Sequence, residues 1–262
     1  MEDVVEDIRR SGRRHIFLVD DNLFVDVETT RALFEALVPL NISWSCQVSI
    51  DIARDPELVQ LMRRSGCISA LIGFESLDID SLRELKKHWN TKWQSYDDAI
   101  GVFRNAGIML YGTFVFGCDN DTVSSFDRSV EFALRNKFLL ANFNPLTPTP
   151  GAPLFVQMKN EGRLLHDRWW VDPDFGYGVA TFEPRGMSAS ELTAGCFYAR
   201  KKFNTANSIV RRMFDVRANL RTPRRAGIYL AANFLSRREI YRKQGRRLGS
   251  AGYQAMHPEQ SP

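Results

Sequence analysis

Five apolar runs, each ending in polar residues, constrain what this 262-residue chain can fold into more than any other feature. They start near residues 16, 42, 68, 108 and 138, spaced by 26, 26, 40 and 30 positions, with amphipathic, capped stretches between them. That is the rhythm of β/α units. Right-handed crossovers make the five strands parallel, so their carboxyl ends share one rim. The rim collects Asp20, Asp21, Asn22, Ser49, Asp51, Glu75, Ser76, Asp119 and Asp121, whereas the opposite rim receives little beyond His15, Cys67 and glycines. Ligands of parallel sheets bind outside the carboxyl ends of strands. Each residue also has a local explanation as a helix cap: Glu75 and Ser76, for example, run straight into Asp78, Asp80 and Ser81. Recurrence at the same end of successive strands favours a site.

The expected elements follow in order. A charged helix over 2–10 precedes a strand at 15–19, a helix over 26–38 and a strand over 42–50. Asp55 and Pro56 open the next helix and Gly66 closes it. The strand over 67–74 then delivers Glu75; helices over 80–87 and from the capping-box spacing at Ser95 to 105 precede a strand over 108–116. A helix over 122–136 and a strand over 138–143 complete the run. Beyond Pro153 the pattern changes to a short helix over 154–162, an aromatic stretch at Trp169 and Trp170, a Gly/Pro-rich segment, one long helix from Ser188 to about 215, and a basic helix to about 242. The fold class expected is α/β: an incomplete parallel (β/α) barrel over 1–153, a mainly helical region over 154–243, and a disordered tail over 244–262.

Charge is unevenly spread. Residues 1–199 carry 20 Lys/Arg and 28 Asp/Glu, whereas residues 200–247 carry 15 Lys/Arg against Asp215 and Glu239. A basic segment behind an acidic body suits an anionic surface, a nucleic acid or an acidic patch on its own body, or it is simply a solvated helical face. Its aromatics, Phe203, Phe214, Tyr229, Phe234 and Tyr241, recur at helical spacing, which reads as core more readily than as a stacking platform, so nucleic acid is not the expected partner. No apolar run reaches the roughly 20 residues that span a bilayer, and the acidic start at Glu2 and Asp3 is unlike a secretory signal. A cytoplasmic location is the default expectation.

Cys46, Cys67, Cys118 and Cys196 have no metal-ligand spacing and read as buried small hydrophobes. The histidines do not complete a hydrolytic metal site. His15 is at the wrong end of its strand, His88 lies in a polar helix, His166 is beyond the barrel and His257 is in the tail.

The run Phe17-Leu18-Val19-Asp20-Asp21-Asn22, followed by Trp44 to Gln47, Ile72-Gly73-Phe74-Glu75-Ser76, Gly107 to Gly117 and Thr147-Pro148-Thr149-Pro150-Gly151, resembles the radical S-adenosylmethionine superfamily, specifically its cobalamin-binding-domain subgroup. The resemblance covers about 2–215. It implies a TIM-barrel-like fold, with Asp20, Asp21 and Asn22 near the amino group of S-adenosylmethionine and Glu75 and Ser76 at its ribose hydroxyls. Gly112, Gly117, Pro148 and Gly151 would border the adenine, and a catalytic residue is not implied. The family's cofactors are a 4Fe-4S cluster, on a CxxxCxxC loop after the first strand, and cobalamin; this sequence contains no such loop. An array opening on a helix reads as truncated, its cluster and cobalamin half expected on separately encoded polypeptide. The resemblance implies radical chemistry, such as methyl transfer to a small-molecule or lipid substrate. The competing expectation is a degenerate, non-enzymatic binding module that uses its basic helices.

Overall fold

The structure is a computed structural model that describes residues 2–24, 26–86, 96–172 and 175–247. Helix α1 (Glu2–Ser11) leads into strand β1 (His15–Leu18), followed by α2 (Val27–Leu37), β2 (Ser43–Gln47), α3 (Pro56–Arg64), β3 (Cys67–Glu75), α4 (Ile79–Glu84), α5 (Tyr96–Ala106), β4 (Met109–Phe116), α6 (Val123–Arg135) and β5 (Leu140–Pro145). All four strand pairings are parallel and the spatial order is the sequence order. This is the expected β/α array, with the strand ends on one rim. Four further helices follow: α7 (Pro153–Asn160), α8 (Ala189–Phe203), α9 (Ala206–Met213) and α10 (Pro223–Lys243).

Local chemistry sets the boundaries. Asp26 caps α2 by accepting the Thr29 amide, and Asp55 with Pro56 opens α3 as the sequence predicts. The strand expected over 42–50 stops at Gln47, because the Ser49 side chain takes the Asp51 amide and turns 50–54 into a 3-10 segment. The expected long helix from Ser188 breaks at Asn204, where Thr205 accepts the Ser208 amide and starts α9 afresh. The capping box expected at Ser95 lies outside the described residues.

One face of the sheet is packed to completion. Trp44, Cys46, Ala70, Ile72, Phe74, Leu110, Phe114, Ala141 and Phe143 alternate along the strands toward the helices and are buried. Phe74 sits in a knot of rings with Tyr96, Phe114, Phe132 and Phe138, at centroid separations of 5.2 to 5.7 Å. The core continues without a break through Met158, Leu192, Cys196, Ala199 and Phe203.

The basic segment is partly inside. Arg212 is wholly buried and makes five kinds of contact: Ser208 Oγ, the carbonyls of Phe138, Leu139 and Phe203, and Asn233 Oδ1. Arg225 donates to the carbonyls of Ile68 and Gly107, and Arg200 to that of Phe143. These arginines bind backbone at the sheet rather than the expected acidic patch. One carboxylate pair of the kind expected is present as well, Lys202 with Asp127, whereas in Arg104 with Asp215 the cation belongs to the body and the carboxylate to the basic segment. Residues 244–247 do not begin a disordered tail: the Tyr177 amide donates to the Arg246 carbonyl, the Gly245 amide donates to the Tyr177 carbonyl, and Gly176 bridges Arg247. The remainder of the expected tail, 248–262, lies outside the described residues.

Candidate functional site

The second face of the sheet has a different composition. Register partners point the same way, so Phe17, Ser45, Ser69 and Met109 form one row, Gln47, Leu71, Tyr111 and Leu140 the next, and Gly73, Thr113 and Asn142 a third, with Val115 and Asn144 beyond. Nearly all are half-exposed, and seven carry polar side chains. Parallel sheets ordinarily bury both faces under apolar side chains. A polar face on such a sheet is therefore a place for a ligand. Ser45 and Ser69 are joined at 2.7 Å between their hydroxyls. Tyr111, whose hydroxyl is hydrogen-bonded to Asn142, has its pKa raised by burial. A cavity of ≈ 410 Å³ lies here, walled by Tyr111, Asn142, Tyr177, Arg200 and Glu239.

Glu75 stands at the carboxyl end of this face. Its φ is +61°, a left-handed conformation rare for a residue with a side chain. The Ser76 amide donates to the Phe74 carbonyl at 2.8 Å, so Glu75 is the centre of a three-residue γ-turn. The ladder slips here, with Gly73 pairing Thr113 and Glu75 pairing Phe114. A Cβ on Gly73 would lie 2.5 Å from Glu75 Oε1 and 3.8 Å from Thr113 Oγ1. Residue 73 is glycine because the carboxylate folds back over it, onto the polar face. Such strain persists only where the surroundings over-determine it, and the ring knot around Phe74 does so.

The other residues expected in the site are dispersed. Asp20 and Asp21 are exposed on the loop after β1. Asn22 spends its amide on backbone: Oδ1 accepts from Ser49 and Phe24 and Nδ2 donates to Phe24, stapling the loop after β1 to that after β2. Asn22→Ala is expected to cost about 1–2 kcal/mol, for two or three partly exposed hydrogen bonds. It should also abolish hydrogen-exchange protection of the Ser49 amide. Ser76 turns away from Glu75 toward the helices; it is buried, its hydroxyl accepts the Asp78 amide, and it borders Phe116, Asp121 and Arg128.

Gly112 lies inside β4, where a Cβ would meet Phe138 Cε2 at 2.5 Å and Phe74 Cδ2 at 3.3 Å. Its glycine serves ring packing. Gly112→Ala should lower the unfolding free energy by about 1–3 kcal/mol through overpacking, without weakening ligand binding in the folded fraction. Gly117 has φ +110° and lies under Leu192 and Phe182, its amide bonded to the buried Asp121 carboxylate at 2.9 Å. Burial raises the Asp121 pKa, opposed by these amides. Pro148 is buried and its carbonyl accepts the Trp169 indole N–H at 3.2 Å, while Gly151, φ +85°, is exposed.

The four cysteines are buried free thiols. Cys46 and Cys67 are hydrogen-bonded neighbours on adjacent strands, and burial raises the pKa of Cys118 and pushes Cys196 up to about 12. Iron ligation needs thiolates gathered on one point. Among the described residues no group of three or more metal-ligating side chains converges. These residues do not fit an iron-sulfur cluster. His15 faces Arg224 at the amino end of β1, the end of the sheet opposite Glu75, and His166 faces Asp172 beyond the sheet.

A parallel β/α array with one polar, open face and a strained carboxylate at a strand's carboxyl end defines a barrel-type α/β fold with a candidate ligand face at its rim. No protein-family model matches the chain. It is 30% identical over 206 residues to bacteriochlorophyllide d C-12(1)-methyltransferase of Chlorobaculum tepidum, covering 78% of this chain and 44% of that protein. Hopanoid C-2 methylase of Rhodopseudomonas palustris is 26% identical over 161 residues, 59% of this chain and 30% of that protein. The chain thus spans less than half the length of these relatives. Among solved structures, the radical S-adenosylmethionine methyltransferase TsrM from Kitasatospora setae, with cobalamin and a 4Fe-4S cluster bound, shares the fold with a TM-score of 0.53 at 14% identity, over 74% of this chain and 37% of that one. In sequence the chain is similar to these methyltransferases, and it shares the α/β barrel-type fold of radical S-adenosylmethionine enzymes.

Proposed function

We propose that this chain holds S-adenosylmethionine on the polar face of its sheet, as part of a methyl-transferring enzyme whose cluster and cobalamin are carried by polypeptide outside these residues. The observation that carries the reading is Glu75: a carboxylate kept in a strained γ-turn and laid over Gly73 beside Thr113. A carboxylate accepts two hydrogen bonds from a vicinal diol such as the cofactor's ribose. The names of the relatives as methyltransferases support the reaction class.

No reductive step is assigned to this chain, since its thiols do not fit the cluster. Its share is binding and orientation. Glu75 would fix the ribose, Asp20 and Asp21 on the adjoining loop would meet a cationic amino group, and the Tyr111–Asn142 pair would wall the ≈ 410 Å³ space left for a small-molecule or lipid substrate. Calorimetric titration with S-adenosylmethionine tests this. Saturable binding, weakened at least tenfold by Glu75→Gln and unaffected by Asp97→Asn on α5, is expected; equal binding by wild type and Glu75→Gln would sink the assignment.

A further inference from the structure

We propose that the outward face of α10 docks this protein onto an anionic membrane surface, a role independent of the cofactor reading. The helix has 21 residues and is about 30 Å long at 1.5 Å per residue. Arg225, Tyr229, Asn233 and Ile240 turn inward and are buried. On the opposite side Leu230, Phe234 and Tyr241 are 48%, 69% and 60% exposed. Their spacings of four and seven residues put them in one stripe. Arg237 borders the stripe on one side and Arg238 on the other, and neither makes an ion pair among the described residues. The helix's one carboxylate, Glu239, lies off the stripe and is bonded to Arg242 and Lys243.

The apolar surface continues onto α8. Tyr241 meets Phe197 edge-on at 6.3 Å, and the Lys201 ammonium lies 4.6 Å over that ring. Phe197 in turn lines an apolar cavity of ≈ 330 Å³ with Leu165, Ala180, Ala189 and Ala194.

An apolar centre with cations at its borders is the pattern of a helix lying in a bilayer interface, where arginines reach outward to phosphates while rings and leucines enter the acyl boundary. No described helix is long and apolar enough to cross a membrane, so α10 would lie on it. A second copy is a poor occupant, because self-pairing of the stripe sets Arg237 and Arg238 against their own kind with no carboxylate to meet them. Nucleic acid would want the cations central.

The test is co-sedimentation with vesicles. The chain should pellet with phosphatidylcholine vesicles doped with phosphatidylglycerol and only weakly with phosphatidylcholine alone. Leu230→Ser with Phe234→Ser should weaken binding at least tenfold. Arg237→Glu with Arg238→Glu should remove the dependence on phosphatidylglycerol, at about 1 kcal/mol, or roughly fivefold, per basic residue. All four positions face outward, so circular dichroism should show unchanged folding, and S-adenosylmethionine binding should be unaltered. The proposal is overturned if wild type does not pellet, or if the variants pellet equally. It is also overturned if light scattering shows a wild-type dimer that the serine variant dissolves, or if the stripe instead retains single-stranded nucleic acid.

Discussion

Arg212→Ala is expected to cost about 3–5 kcal/mol of unfolding free energy, the scale for removing one partner from a buried charged network. The guanidinium is dry, lies 3.7 Å over the Phe203 ring, and satisfies the carbonyls of Phe138, Leu139 and Phe203 together with Ser208 and Asn233. Burial pushes its pKa down to about 10, so it stays charged at neutral pH. It ties α9 and α10 to the residues that lead into β5. With the side chain gone, the Phe138 carbonyl and Asn233 Oδ1 lose the guanidinium in a space closed to water, while Phe203 and Leu139 keep Ser208 Oγ and Asn233 Nδ2, and unpaired buried groups cost more than the bonds were worth. Domains of this kind have about 5–15 kcal/mol in total, so the variant should be unfolded or close to it. Arg212→Lys keeps the charge but has three donors for five acceptors, and should fall between. The neighbouring Arg211, exposed, is the control; Arg211→Ala should stay within about 0.5 kcal/mol of wild type. Urea denaturation gives all three values, and an Arg212→Ala loss no larger than that of Arg211→Ala would refute the structural role.

At Glu75 stability and binding should move in opposite directions. Glycine adopts a φ of +61° freely, whereas alanine pays the same penalty as glutamate, so Glu75→Gly should be about 1–2 kcal/mol more stable than Glu75→Ala. Both lack the carboxylate, and both should lose S-adenosylmethionine. Hydrogen bonds to a charged group are worth about 1.5–3 kcal/mol, or roughly ten- to a hundredfold in affinity. Thermal melts with calorimetry on the same pair of proteins separate the two effects. Equal melting of the Gly and Ala variants would show that the turn holds no strain; affinity surviving in either would show that the carboxylate does not touch the ligand.

Much of this architecture is legible in the chain. The five strands, their parallel order and the helix starts at Asp55 and Ser188 follow from apolar runs, turn residues and side-chain hydrogen bonding over a few positions. The polar face was legible too, though it is easily overlooked. Ser43-Trp44-Ser45-Cys46-Gln47 and Leu140-Ala141-Asn142-Phe143-Asn144 alternate with period two, and read as buried strands only if the small polar residues are discounted. Thr113 and Asn142 therefore belong with Glu75 at the carboxyl end of this face, and Ser45 and Ser69 lie farther back along it, about 20 Å from Glu75 at roughly 3.3 Å per residue.

Sequence alone determined that Glu75 would end a central parallel strand and that a basic helix would run to about residue 242, because both rest on local pattern. The γ-turn that folds the carboxylate over Gly73, the turning away of Ser76, and the burial of Arg212 beneath Phe203 were decided by tertiary structure. Each depends on atoms far apart in the chain: the aromatic knot from α5, α6 and β4 that holds Phe74, and the carbonyls before β5 that lie 73 and 74 residues from Arg212. A charge run in a sequence looks the same whether its guanidiniums meet water or unpaired carbonyls, and only packing decides which desolvation is compensated.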